Sequence, residues 1–365
     1  MDNKKIVFNK KIKQVILSEL LLKWFDISKR ELPFRGINDP YKIWVSEIML
    51  QQTKVKTVIP YYNNWIIKFP NISSVSNSTE QEVLKYWEGL GYYSRCRNFY
   101  NAANIVCKKY NSIIPNNWDD FRALPGVGDY TSGAVLSIAF NKPYIALDGN
   151  AKRVMARIIG RLNMTKYNVN LIKSKLYKLM DYKRPGDFNQ ALMELGACIC
   201  LPKRPLCLQC PINSYCQAYK KGNPSDYPKK SIKKKTPTYL FVGGIVKVDN
   251  KFLIQKRGSD KMLGGLWELP NVKITNKDDF YEIFQNYVFK KHGVIITAIN
   301  NVGKVNHAYS HFKIQMIIVS CLKIKGGKQS NHNTENIKWI KRSEIGNYPF
   351  HKINHKIFST LNNDF

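Results

Sequence analysis

The stretch LPGVGDYTSGA, residues 124–134, decides how the first half of the chain is read. Pro125 ends a preceding helix, because its ring removes an amide donor and restrains the residue before it. Gly126 and Gly128 then permit a tight turn, and helix-compatible residues resume at Asp129. The pattern is a helix-hairpin-helix, in which the amides opening the second helix can hold a phosphate oxygen. Such a contact anchors DNA without reading its sequence. Taken alone, the same residues would serve equally as an ordinary glycine turn between two helices.

On either side of the hairpin, residues 11–218 place apolar side chains at three- and four-residue spacing, broken by Pro and Gly. This predicts an all-α domain over residues 1–221. Residues 222–237, GNPSDYPKKSIKKKTP, carry three prolines and five lysines and cannot bury a face, so they read as a linker. Beyond it, TYLFVGGIVKV (238–248), the turn Asp249-Asn250 and KFLIQKR (251–257) predict a β-hairpin. An amphipathic segment at 278–291, then HFKIQMIIVSCLKI (311–324) and ENIKWI (335–340), make residues 238–365 an α+β domain.

The 365 residues suit two domains, and 44% hydrophobic with 12% aromatic residues is enough for packed cores. Disorder is excluded. Lys plus Arg number 58 against 26 Asp plus Glu, and the resulting +32 makes a polyanion the first partner to consider. A Lys-, Asn- and Ile-rich coding bias would raise the charge in the same direction. The N-terminus has no apolar core of signal-peptide length, and no window approaches the ~18 apolar residues of a membrane span. No membrane role is expected, and the chain is expected to be cytoplasmic, associated with the nucleoid through DNA.

Four of the eight cysteines, Cys200, Cys207, Cys210 and Cys216, form a C-x6-C-x2-C-x5-C run. Four thiolates this close can enclose one metal centre, and a reducing compartment favours ligation over disulfides. Zinc would also suit four sulfurs, but the single compact loop at 200–216 favours one 4Fe-4S cluster. Lys203 and Arg204 within it point to DNA contact.

Two carboxylates stand in contrasting settings. Asp39-Pro40 can cap and begin a helix that sets Glu47 one turn from Ile43, Leu50 and Gln51, and apolar company raises a carboxyl pKa toward that of a general acid. Asp148, in ALDGNAKRV, precedes a basic helix and can stay ionised to face a developing cation. A solvated helix face for Glu47 and a plain N-cap for Asp148 are the bland alternatives.

Read together, LPFR (32–35), WVSEIMLQQT (44–53), GLGYYSR (89–95), the hairpin, LDGNAKRV (147–154) and the cysteine loop resemble the adenine DNA glycosylases of the MutY type. The resemblance implies a helix-hairpin-helix glycosylase domain joined to a Nudix-like domain, acting as a monomer on double-stranded DNA. The implied reaction is excision of adenine paired with 8-oxoguanine or guanine, by base flipping, leaving an abasic site. It implies Glu47 as general acid, Asp148 as the stabilising or bonding carboxylate, and Asn150 and Tyr130 in support. Arg35 and Leu50 then line the substrate pocket, Gly126 and Gly128 hold the backbone, and Gln52 and Tyr92 enter the opened stack. Phe34 stands where the family usually has Trp. Tyr130 occupies the position at which bifunctional relatives carry a nucleophilic lysine, so strand cleavage is not expected. Tyr309-Ser310-His311 matches the family's 8-oxoguanine loop, which implies Ser310 as a contact to the lesion and His311 as a second contact or, equally, a core or surface histidine. The positions six residues after Gly264 and Gly265 are Pro270 and Asn271, and no acidic Nudix helix follows, so nucleotide hydrolysis is not expected.

Overall fold

The computed structural model describes residues 2–229, 236–259, 261–275, 279–309, 311–324 and 335–360. The chain divides into two compact units, one of Met1–Asn77 with Asn101–Ile232, the other of Ser78–Tyr100 with Lys233–Phe365.

The first unit is helical. Asp39 Oδ1 accepts from the amides of Tyr41 (2.9 Å) and Lys42 (3.2 Å), and Pro40 occupies the first turn, which together start the Pro40–Leu50 helix. A short helix, Trp118–Arg122, leads into the glycine turn and then into the Asp129–Phe140 helix. Gly126 takes a left-handed φ of 74°, which an L side chain rarely adopts, and Arg122 braces the turn by donating to Val127 O at 2.9 Å. One apolar core joins Leu21 and Phe25 of the Asp2–Ser28 helix to Val154, Leu176, Phe188 and Leu195. The Pro185–Cys198 helix packs closely on the Gly149–Ile158 helix: a Cβ on Gly196 would lie 2.6 Å from that of Asn150. Only glycine lets Asn150 sit there.

The second unit is built on a seven-stranded sheet: β1 (Thr238–Val248), β2 (Lys251–Lys256), β3 (Trp267–Glu268), β4 (Asn271–Ile274), β5 (Ile296–Ala308), β6 (Lys313–Lys323) and β7 (Ile337–Lys341). Its main order is β3-β2-β1-β6-β5, with β4 on β1 and β7 on β2; β1 and β6 run parallel and the other pairs antiparallel. Val248 pairs with Lys251 around the Asp249-Asn250 turn. Strand alternation feeds two cores. Phe252 and Ile254 pack with the Lys352–Thr360 helix, whereas Leu253 between them packs with the Phe280–His292 helix.

The helical hairpin domain and the α+β domain are therefore present as expected. The expected iron-sulfur loop is corrected: among the described residues, no group of three or more His, Cys, Asp or Glu side chains is placed to hold a metal ion. Cys200, Cys207, Cys210 and Cys216 are free, half-buried cysteines. Their loop is organised around Arg157 instead. This buried guanidinium donates to the carbonyls of Leu201 (2.7 Å), Pro202 (3.2 Å) and Tyr227 (2.8 Å), and to both O and Sγ of Cys200 at 3.2 Å.

Candidate active site

A cavity of about 170 Å³ in the first unit gathers side chains from five separated segments, among them Glu47, Tyr130, Asp148 and Asn150. Arg35, Leu50 and Phe34 line it too, and the Phe34 ring is held edge-on to Tyr62 at 5.3 Å. Glu47 sits one turn before the end of the Pro40–Leu50 helix and is only 7% exposed. Burial pushes its carboxyl up to about 7; a hydrogen bond from Tyr130 opposes the rise, Asp148 adds to it and Arg35 reduces it. The Tyr130 hydroxyl donates to Glu47 Oε2 at 2.5 Å and lies 3.6 Å from Met193 Sδ. Burial, then the neighbouring Glu47, drives the Tyr130 phenol well above its ordinary value, so it remains a donor.

Asp148 is the N-cap of the Gly149–Ile158 helix, its Oδ1 accepting from the Ala151 amide at 2.6 Å, and it also lines the cavity. Capping the helix and lining the cavity thus fall to one side chain. Asn150 accepts from Arg153 Nη2 at 2.9 Å, which fixes its amide.

Sequence reading missed Glu194. Buried under the cavity, it accepts from Arg30 Nε at 2.6 Å and Nη2 at 2.9 Å, and from Arg35 Nη2 at 2.9 Å. Burial acts to raise its carboxyl, but the two guanidiniums outweigh it and hold the group down at about 2. Nothing local marks Glu194, whose partners lie 164 and 159 residues away.

Of the hairpin glycines, Gly126 is exposed, and a Cβ on Gly128 would meet nothing within 4 Å. Gln52 and Lys203 are exposed, as is Arg204, and both Gln52 (φ 56°) and Arg204 (φ 49°) hold left-handed backbone. In the second unit, Tyr92 (φ 49°) and the exposed His311 line one cavity of about 550 Å³ together with Tyr93, Leu263 and Tyr309. His307 stacks edge-on to Tyr309 at 4.5 Å. Ser310 lies outside the described residues.

The four cysteines do not fit the expected 4Fe-4S cofactor. Burial pushes the Cys210 thiol up to about 12 and raises Cys207 and Cys216 above their ordinary value. With no metal-holding group among the described residues, that cofactor is withdrawn.

The helical domain with its hairpin and acid-lined cavity, and the sheet domain, each match a known family of proteins. Residues 45–177 match the model of the HhH-GPD superfamily base excision DNA repair proteins, and residues 241–360 match that of the NUDIX domain. The first unit's fold is similar to a thermostable thymine-DNA glycosylase, with TM-score 0.54 and 30% identity over 59% of this chain and 99% of that one. A trapped endonuclease III–DNA covalent intermediate shares the fold, at TM-score 0.50 and 22% identity over 58% of this chain and 98% of that one. The adenine DNA glycosylase of Buchnera aphidicola subsp. Acyrthosiphon pisum is 36% identical over 302 residues, 81% of this chain and 84% of its own. The human adenine DNA glycosylase is 30% identical over 385 residues, 89% of this chain and 70% of its own. The chain belongs to the adenine DNA glycosylase family. Among the described residues, no helix is long and apolar enough to cross a membrane.

Proposed function

We propose that this protein, as a monomer on double-stranded DNA, removes adenine paired with 8-oxoguanine or guanine and leaves an intact abasic strand. The observation that carries this reading is the buried Glu47 carboxyl, raised to about 7 in a cavity that also holds Asp148. An acid that keeps its proton and a second carboxylate near the sugar are what N-glycosidic cleavage asks for. The adenine is flipped into the cavity. Glu47 gives its proton to N7, the C1′–N9 electron pair leaves with the base, and Asp148 faces the cationic sugar or bonds to C1′. Water then adds its hydroxide to C1′, the C1′–O bond to Asp148 breaking and its electron pair returning to that carboxylate where the bond had formed, and the water's proton goes to the Glu47 carboxylate. Tyr130 keeps the Glu47 carboxyl in one orientation, and Asn150 supports the sugar side.

Around this centre, the Gly126 and Gly128 backbone, Lys203 and Arg204 hold phosphates. Gln52 and Tyr92 enter the opened stack, where strained left-handed backbone offers their side chains to the duplex. Ser310 and His311 contact the opposing 8-oxoguanine. Tyr130, standing where a lysine would form a Schiff base, leaves the strand uncut.

A single-turnover incubation with a labelled duplex carrying adenine opposite 8-oxoguanine tests this, analysed with and without hot alkali. A break appearing only after alkali is expected. Breakage without alkali removes the uncut-strand assignment, and an intact strand after both treatments removes the enzyme assignment. Ser310→Ala is expected to erode the preference for 8-oxoguanine over guanine; an unchanged ratio removes that contact.

A further inference from the structure

Residues 78–100, though embedded in the helical half of the sequence, belong to the same compact unit as the sheet domain. Among the described residues, Gln81, Lys85 and Glu88 contribute to that attachment, and their spacing is regular. Gln81, Lys85 and Glu88 recur at i, i+4 and i+7 along the Glu80–Tyr86 helix and the turn after it, so they share one face. Gln81 donates to Gly265 O at 2.9 Å and accepts from Trp267 Nε1 at 2.8 Å. Lys85 donates to Tyr348 O at 3.1 Å. Glu88 Oε1 accepts from the Phe350 amide at 2.9 Å and meets His355 Nε2 at 2.5 Å, while its Oε2 pairs with Lys85 at 2.6 Å. The Glu88 side chain is 13% exposed, so these charge-assisted bonds are only partly open to water.

The face continues directly into the loop that carries Tyr92. Trp87 Nε1 donates to Gly91 O at 3.0 Å, the Gly89 amide donates to the Tyr93 hydroxyl at 2.9 Å, and Arg95 donates to Gly91 O at 3.1 Å. Its guanidinium also lies 5.3 Å from both the Trp87 and Tyr92 ring centres. The loop is thus internally braced, and what holds Glu88 also holds Tyr92. Across the 550 Å³ cavity from Tyr92 stand Tyr309, His311 and His351, and His351 directly follows Phe350, the residue whose amide Glu88 binds.

We propose that Gln81, Lys85 and Glu88 form a clasp of positioning residues that sets Tyr92 against Tyr309 and His311, and that discrimination between 8-oxoguanine and guanine depends on it. This rests on the reading that Tyr92 and residues 310–311 meet the base opposite adenine. None of the three residues lines the Glu47 cavity, so loss of the clasp affects recognition and spares the cleavage chemistry.

The test is single-turnover excision of adenine opposite 8-oxoguanine and opposite guanine by the full-length protein. Glu88→Ala is expected to lower the ratio of the two rates by about ten-fold, the equivalent of one charge-assisted hydrogen bond, while the guanine rate stays within about two-fold. Glu88→Gln, which keeps an acceptor for the Phe350 amide, is expected to recover most of the ratio. Gln81→Ala reaches the same face by an independent variant, and Glu88→Ala with His355→Ala together is expected to cost no more than Glu88→Ala alone. An unchanged ratio in both Glu88→Ala and Gln81→Ala, or an equal fall of both rates, overturns the clasp. Equal rates on the two duplexes by the unmodified protein overturn the recognition reading itself, and the clasp with it.

Discussion

The Tyr130 hydroxyl donates to Glu47 Oε2 across 2.5 Å, tying the second helix of the hairpin to the Pro40–Leu50 helix inside the acid-lined cavity. The bond matters in two ways. It orients the carboxyl, and it restrains how far burial lifts it. Tyr130→Phe is therefore expected to move the alkaline limb of the pH–rate profile to higher pH and to slow excision at neutral pH by about three- to ten-fold. A profile identical to that of the unmodified protein would disprove the coupling. Tyr130→Lys is expected to give a covalent DNA complex on borohydride treatment, which denaturing electrophoresis would detect.

Glu47→Gln is expected to abolish adenine release while leaving affinity for the mispair, measured by anisotropy, within about three-fold; retained turnover would remove Glu47 from its role. Stability gives a second check. The Glu47 carboxyl rises from 4.5 to about 7 in the folded chain, so folding is favoured by its protonated form, and that advantage is lost as pH rises from about 4.5 through 7. Glu47→Gln stays neutral throughout. Relative to the unmodified protein it is expected to gain stability between pH 5 and 8, by up to roughly 3 kcal/mol. Urea melts at the two pH values measure this, and a difference independent of pH would contradict it.

Glu194 has the opposite sign. Its carboxyl is depressed to about 2, so the stability it contributes is complete above about 4.5 and disappears as pH falls toward 2. Glu194→Gln leaves Arg30 and Arg35 without their counter-charge and is expected to cost about 3 kcal/mol at pH 7. The same comparison at pH 3 is expected to show a smaller cost. An equal cost at both pH values would mean the carboxylate's charge is irrelevant.

Arg157→Ala removes the donor shared by the carbonyls of Cys200, Leu201, Pro202 and Tyr227 and by Cys200 Sγ. Loss of about 3 kcal/mol is expected in urea unfolding, because buried carbonyls are left unpaired. DNA affinity is expected to fall as well, with a shallower dependence on salt, since Lys203 and Arg204 lie on that loop. Unchanged salt dependence would detach the loop from DNA binding.

Much of the chemistry was legible because its signals are local. Asp39-Pro40 caps a helix within four residues, and that start alone sets Glu47 among Ile43 and Leu50. Gly126 is needed where the turn requires a left-handed residue, and the Asp249-Asn250 turn sets the strand register beside it. Local spacing misled at the cysteines, because the interval between residues says nothing about what their side chains meet. There the partner that organises the loop is Arg157, 43 residues before Cys200.

The sequence by itself determined the helical hairpin, the strand alternation that feeds two cores, the acid on an apolar helix face and the capping aspartate. Each follows from backbone sterics and periodicity over a few neighbouring residues. Tertiary structure alone decided that Tyr130 would restrain Glu47 from 83 residues away, and that Glu194 would bind two arginines across the fold. It also decided that residues 78–100 would join the sheet domain. Charge pairing and burial depend on which distant segments the cores bring together, and no short stretch of sequence contains that information.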